Sequence, residues 1–337
     1  MAGRFAPRSN PVSRTTVRGG DARVPGARGG GGGLGGRVRT YAPRGPVDLG
    51  LVLGPLRRGP GDPTFRVTPD GAVWRGSLTP CGPGALRVSL EGGVVRGEAW
   101  GAGAEWLLDQ LPALVGEFDD PSGFLPRHRV VADAWRRRKG LRLGRTGLVL
   151  ESLIPSVLEQ KVTTDEAYRA WGVLVRKFGD VAPGPAAGGR LWVMPSPRVW
   201  GGVPSWEWHL AGVDDKRAST VVRAVRVAAR LEEGVGVSAE VARGRLEVVP
   251  GVGAWTSAEV VQRSHGAVDV VTVGDLHLPG VVGWVLGGER DADDGRMLEL
   301  LEPYAGQRHR AVRLVLLSGV GRERRGPRMP VGDIRGI

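Results

Sequence analysis

The tetrapeptide Pro250-Gly251-Val252-Gly253 most narrows what this chain can fold into. It separates two helical patterns, one opened by Ser238 and one spanning Trp255–His265, so it must form a tight reversal between helices. Glycines in such a turn leave backbone N–H groups uncovered at the start of the second helix. Unpaired amides and the helix dipole together favour an anion there. The carbonyls of the same turn offer a place for a monovalent cation; no other metal and no organic cofactor is expected. Twenty-two residues after Gly253 comes Asp275-Leu276-His277, where another helical pattern, Asp275–Leu286, begins. A carboxylate at that point would face whatever the amides hold.

The remaining pattern predicts an α+β protein. Residues 1–40 are rich in Gly, Arg, Pro and Ser, cannot bury enough apolar surface, and read as a disordered basic tail. Residues 41–118 read as a small antiparallel sheet plus one helix. Val47–Leu53 alternates loosely like a strand. Thr64–Val67 and Ala72–Leu78 flank the turn Pro69-Asp70-Gly71, and Leu86–Leu90 and Val94–Ala99 flank Glu91-Gly92-Gly93. Ala104–Val115 has the spacing of a helix that covers one sheet face. From 119 to 320 the pattern is all helical: Phe124–Arg138, Leu148–Lys161 with Pro155 inside it, and a capping box Thr163-x-x-Glu166 opening a helix to Phe178. After a Pro/Gly loop at 182–189, Ser196-Pro197 and Ser205 mark further starts. Asp214/Asp215 open a helix to Leu231, and Asp294–Leu301 and Gln307–Leu317 complete the set. Residues 321–337 form a second basic tail.

The net charge is +12, and nine arginines against Asp21 place +8 of it in residues 1–45. An excess of this kind attracts an anionic polymer by counterion release, without sequence preference. A solvated extension with no role is the other reading of the tail. The single cysteine, Cys81, excludes a disulfide framework, a four-cysteine zinc site and a cysteine-held iron–sulfur cluster, and fits a reducing cytoplasm. No stretch of 18 apolar residues suggests a membrane span, and Arg4, Arg8, Arg14 and Arg18 interrupt any signal-peptide core.

The fuller pattern Leu246-x-x-x-Pro250-Gly251-Val252-Gly253-x-x-Thr256-x-x-Glu259-Val260-Val261 resembles the helix-hairpin-helix GPD superfamily of DNA glycosylases, and within it the 3-methyladenine DNA glycosylase II group. Leu158-Glu159-Gln160-Lys161-Val162-Thr163 is similar to the family's Leu-Gly-Gln-x-Val-Ser segment, with Glu159 in place of Gly. Leu210-Ala211-Gly212-Val213-x-x-Lys216-Arg217-Ala218 is similar to a third segment. The resemblance covers roughly residues 120–320, and residues 41–115 fit the group's small α/β domain. It implies excision of alkylated purines from damaged double-stranded DNA by hydrolysis of the N-glycosidic bond, in base excision repair, by a monomer at the cytoplasmic nucleoid. Asp275 falls on the catalytic aspartate, whose charge stabilises an oxocarbenium-like sugar. His277 reads as a structural hydrogen-bonding group. Pro250, Gly251, Val252, Gly253 and Thr256 hold the DNA backbone.

Members that also cut the strand carry a lysine where this chain has Trp255, so the resemblance implies no lyase step. Trp255, Glu259 and Tyr304 would line the base pocket, with Glu259 where relatives often have tyrosine and Gln307 where they often have an aromatic residue. Gln160 and Lys161 lie where relatives place the wedge that fills the gap left by a flipped base; a surface lysine is the other reading of Lys161. Trp206 and Trp208 read as packing residues. Two alternatives stay open: a non-catalytic DNA-binding protein that keeps the hairpin, and a glycosylase for another lesion such as a deaminated base.

Overall fold

The computed structural model describes residues 36–185 and 190–321. The expectations for 1–35, 186–189 and 322–337 lie outside the described residues.

Five strands form an antiparallel sheet in the order β1-β5-β4-β3-β2: β1 (Arg37–Tyr41), β2 (Phe65–Val67), β3 (Val73–Thr79), β4 (Gly82–Glu91) and β5 (Val94–Gly101). Both hairpins expected from Asp70-Gly71 and Gly92-Gly93 are present, in the registers Val73↔Val67 and Val94↔Glu91. β1 corrects the expectation that disorder runs to residue 40. It pairs with β5 from Arg37↔Ala99 to Tyr41↔Val95, and ion pairs Arg37–Glu105 and Arg39–Asp109 fasten its outward side chains. Val47–Leu53 is likewise no strand. Asp48 Oδ1 accepts the Leu51 N–H at 3.0 Å and caps the short helix α1 (Leu49–Leu53). Leu49, Val52 and Leu53 bury one face of it at i, i+3, i+4 spacing.

Helix α2 (Ala104–Leu114) covers one face of the sheet. Leu107, Leu108, Leu111 and Leu114 meet Leu86, Val88, Val95 and Ala99. Each large side chain so buried contributes about 1.5–3 kcal/mol by removal from water. The opposite face holds Trp74 stacked on Trp100 at 5.3 Å, against Leu191 and Val193. Val193 belongs to, and Leu191 precedes, the second strand of a separate two-stranded ribbon, β6 (Asp180–Val181) and β7 (Trp192–Val193), so the region expected to be all helical contains a small ribbon that packs on the sheet. The Trp192 N–H donates to Pro63 O at 2.8 Å.

Among the described residues twelve further helices follow: α3 (Arg129–Arg137), α4 (Val149–Leu158), α5 (Thr164–Phe178), α6 (Pro197–Gly201), α7 (Ser205–Leu210), α8 (Asp215–Arg226), α9 (Ala228–Glu232), α10 (Ala239–Glu247), α11 (Ala254–Ser264), α12 (Leu278–Val282), α13 (Asp294–Leu301) and α14 (Arg308–Leu317). α12 runs on into a π-helical turn at Gly283–Gly287. Both halves of the Thr163–Glu166 capping box form, and Ser196 and Ser238 cap as expected. Four boundaries differ by three residues or more, the first being the end of the helix expected to reach Lys161, which stops at Leu158. The helix expected from Phe124 starts only at Arg129, after Pro126. The helix expected through Leu231 breaks at Val227, with φ −112° and ψ 21°. The helix expected from Asp275 starts at Leu278, because the Asp275 side chain caps the residues before it.

α4 is the central element. Apart from Glu151 it is buried throughout, as a helix apolar on all sides must be. Leu153, Ile154, Val157 and Leu158 pack with Leu174, Val221, Val260 and Val261, beside a stack of Trp171, Trp200 and Trp208. Glu232 caps its start through the N–H groups of Val149 and Leu150, at 2.9 and 2.8 Å. A second core joins α3, α12, α13 and α14. Sheet and helices are tied by two largely buried ion pairs, Arg75–Glu151 and Arg58–Glu159. The departure Glu159 thus has a partner on the sheet side. Among the described residues no helix is long and apolar enough to cross a membrane.

Candidate functional site

The hairpin forms as the sequence predicts. Val252 N–H closes on Val249 O at 2.9 Å, and Gly253 is the N-cap of α11 with no side chain capping the first turn. Its amides are therefore offered outward. Gly251 has φ +99°, and a Cβ there would run into Thr220, 2.9 Å from Cγ2 and closer still to Oγ1. The conformation and the space both demand glycine. An added Cβ at Gly253 meets nothing within 4 Å, so that glycine keeps the surface open rather than the fold closed. Two hairpin carbonyls already have protein donors: Arg223 Nη1 reaches Pro250 O at 3.3 Å and Gln160 Nε2 reaches Gly251 O at 3.0 Å. Exposed Lys216 lies on the same helix as Arg223, whereas Arg217 is buried on Asp214 and Leu158 O.

Thr256 is 2 % exposed, and its Oγ1 accepts Gln160 Nε2 at 2.8 Å. It braces the hairpin from inside instead of adding a hydroxyl to the outer grip. Gln160 is consequently a latch between the α4–α5 turn and the hairpin, which leaves Lys161 as the exposed member of the expected wedge. Among the described residues Lys161 is the only non-glycine with positive φ, at 55°. That conformation costs about 1–2 kcal/mol, and strain of this sort collects at functional positions.

Asp275 lies between α11 and α12, partly exposed. Its Oδ1 accepts the N–H groups of His277 and Leu278, both at 2.8 Å, and its Oδ2 accepts Trp255 Nε1 at 3.0 Å. Three N–H donors leave one lone-pair position of the carboxylate open. His277 is exposed and contributes its backbone N–H. Gly274, at φ +83°, turns the chain into this position, and its N–H donates to Asp294 Oδ2 at 2.9 Å. The structure thus brings Asp275, Trp255 and the hairpin together.

Glu259, one turn after Trp255, is 15 % exposed at its side chain. Its Oε2 accepts Arg263 Nη1 at 2.6 Å and its Oε1 accepts the Thr272 hydroxyl at 3.0 Å. Burial works against the charge of Arg263, but Glu259 and then Glu159 more than offset it and raise its pKa. Arg313 is pushed down to about 10 by burial and by the nearby charge of Arg263. Tyr304 does not join the group. It is 3 % exposed, stacks on Phe124 at 5.7 Å, and its hydroxyl accepts the N–H groups of Arg127 and His128 at 3.2 and 3.1 Å. Its work is to start α3. Gln307 carries Arg310 Nε on its Oε1.

Sequence reasoning did not find Thr272, Gln262 or Asp294, whose links depend on tertiary contact alone. It also passed over Val248 and Leu276, which are 79 % and 78 % exposed beside the hairpin and beside Asp275. A large apolar residue next to a charged turn was the available signal. Trp206 is exposed, while Trp208 belongs to the core stack.

No protein-family model and no curated protein matches the chain. Solved structures do share its fold. A 3-methyladenine DNA glycosylase from Archaeoglobus fulgidus is 18 % identical, with a TM-score of 0.67 over 83 % of this chain and 98 % of that one. The 8-oxoguanine glycosylase/lyase of Clostridium acetobutylicum in its apo form is 11 % identical, with a TM-score of 0.66 over 85 % and 99 %. The same enzyme bound to double-stranded DNA with cytosine opposite 8-oxoguanine is 12 % identical, with a TM-score of 0.64 over 80 % and 91 %. The α+β fold is therefore the one that these solved DNA glycosylases have.

Proposed function

We propose that this protein is a DNA glycosylase that hydrolyses the N-glycosidic bond of alkylated purines in damaged double-stranded DNA, acting as a monomer in the cytoplasm. The observation that carries the reading is the Asp275 carboxylate, bound to Trp255 Nε1 at 3.0 Å next to an uncapped helix start. The amides after Gly251 receive one backbone phosphate. The lesion leaves the base stack, and Lys161, on its strained turn, stands where the gap is filled. Asp275 sets its open oxygen position against the positive charge that grows on the sugar as the C1′–N bond breaks, and a water molecule then adds to C1′. An alkylated purine is already cationic and leaves without strong acid assistance. Trp255 spends its N–H on Asp275, and its ring face suits a cationic base. An indole provides no amine for a Schiff base at that position, so the product is an abasic site in an intact strand.

The test is single-turnover release of methylated purines from an alkylated duplex by wild type and by Asp275→Asn. Strand breaks that need alkali and appear only with wild type support the reading. A wild type that binds the duplex and releases no base defeats the alkylation reading and turns attention to other lesions or to binding alone.

A further inference from the structure

Helix α11 faces the 270–275 segment with three side chains at i, i+4 and i+7, which share one side of a helix. Gln262 Nε2 donates to Val270 O at 2.8 Å and to Thr272 Oγ1 at 3.0 Å; the Thr272 hydroxyl donates to Glu259; Trp255 donates to Asp275. From the other side Asp294 takes the Gly274 N–H. The Glu259 carboxylate ends this chain of donors, and Arg263, whose Nε donates to Pro55 O at 3.1 Å, balances its charge and anchors it to the sheet side.

We infer that Glu259 is a positioning residue: through Thr272 it fixes the 272–275 segment and with it the Asp275 carboxylate, rather than contacting the base. The inference rests on the reading of Asp275 as the reacting carboxylate. Gly274 has the backbone freedom of glycine, so the segment needs ties on both sides of it. A misplacement of about 1 Å at a reacting group costs on the order of a hundredfold in rate. Both oxygens of Glu259 are already engaged, one by a guanidinium and one by a hydroxyl. The network also gives a reason for a carboxylate here. A glutamine offers one acceptor oxygen; with that oxygen on Arg263, its amide would have to donate to Thr272 Oγ1, which already accepts Gln262, and the Thr272 hydroxyl hydrogen would lose its acceptor.

Thr272→Val is the clean test, because it removes the hydroxyl and leaves the buried Glu259–Arg263 pair intact; Glu259→Gln is the second variant. Two readouts are taken. One is the single-turnover rate and half-saturating concentration on duplexes carrying either a cationic N-methylated purine or a neutral deaminated base. The other is hydrogen exchange of the Trp255 indole N–H. Thr272→Val should lower the rate by on the order of tenfold on every lesion that wild type excises, with half-saturation unchanged, and should speed indole exchange by a similar factor. A rate and an exchange both within twofold of wild type would overturn the inference. So would a loss in Glu259→Gln confined to the cationic lesion, since that is the mark of a base contact. If wild type excises nothing, the proposed function fails while indole exchange still decides the positioning network.

Discussion

Gly251→Ala tests the hairpin directly. The φ of +99° at this position costs an alanine about 1–2 kcal/mol. Its new Cβ would lie 3.0 Å from Thr220 Cβ and 2.9 Å from Cγ2, with Oγ1 nearer than either. Thr220 cannot swing aside freely, because it is buried in α8 and its hydroxyl donates to Lys216 O at 2.8 Å. Overpacking of this kind adds about 1–3 kcal/mol, so the variant should lose about 2–5 kcal/mol in all. Urea unfolding measures the loss as a lower midpoint at unchanged slope, and fluorescence anisotropy with an undamaged duplex measures the grip. Thr220→Ala removes the two nearer atoms, Oγ1 and Cγ2, and leaves only Cβ at 3.0 Å. Combined with Gly251→Ala it should return about 1–3 kcal/mol, the clash alone, as the interaction energy of a double-mutant cycle. Gly253→Ala is the contrast: its backbone is extended and its surroundings open, so stability should stay within about 0.5 kcal/mol while duplex affinity falls. If Gly251→Ala folds as well as wild type, or if removing Thr220 returns nothing, the steric account of this turn is wrong.

Trp255→Phe keeps the aromatic wall and deletes the N–H to Asp275; loss of one hydrogen bond to a charged group at a partly exposed site should slow excision about tenfold with duplex affinity little changed, as single-turnover kinetics would show. Lys161→Gly relieves a left-handed backbone, so its unfolding free energy should rise by about 1 kcal/mol while excision slows, and a faster enzyme would contradict the gap-filling role. Burial holds His309 well below its usual pKa and His265 below it too. Folded values under the unfolded 6.5 mean that their contribution is complete above pH 6.5 and is withdrawn as pH falls below it, by up to about 1.4 kcal/mol per pH unit for each group. The urea midpoint should therefore drop between pH 6.5 and 5, and His309→Leu should flatten that limb. Removing residues 1–35 deletes six arginines and one aspartate but spares β1; weaker duplex binding with a shallower salt dependence is expected, and an unchanged salt titration would deny the tail a part in holding DNA.

The features legible in the sequence are those whose cause is local. The hairpin is announced by Pro-Gly-Val-Gly, the start of α5 by its capping box, and the two sheet turns by Asp-Gly and Gly-Gly. The misread features depend on partners far along the chain. β1 has the composition of a tail and becomes a strand because β5, Glu105 and Asp109 receive it. Val47–Leu53 supports either period over so few residues, and the cap at Asp48 decides for a helix. Within the site, Asp275, Trp255 and the hairpin meet as their spacing suggests. Thr256, Tyr304 and Glu259 carry the chemistry that was read from them, but spend it inward on Gln160, on the start of α3 and on Thr272. A residue type shows what a side chain offers; only the contacts show to whom it is given.

Helix α4 has a further consequence, for how this protein can vary in length. It runs from the Glu232 cap at Val149 to Leu158, and two residues later Gln160 latches onto the hairpin. Ten residues at 1.5 Å span about 15 Å, and each residue turns the far end by about 100°. One insertion would carry Gln160 and Lys161 a quarter-turn or more around the axis, away from Gly251, while every buried side chain of the helix lost its register. The surface loops can lengthen at small entropic cost, but the stretch from Val149 to Lys161 works as a gauge of fixed length and phase, and natural variants should conserve its residue count more strictly than its residues.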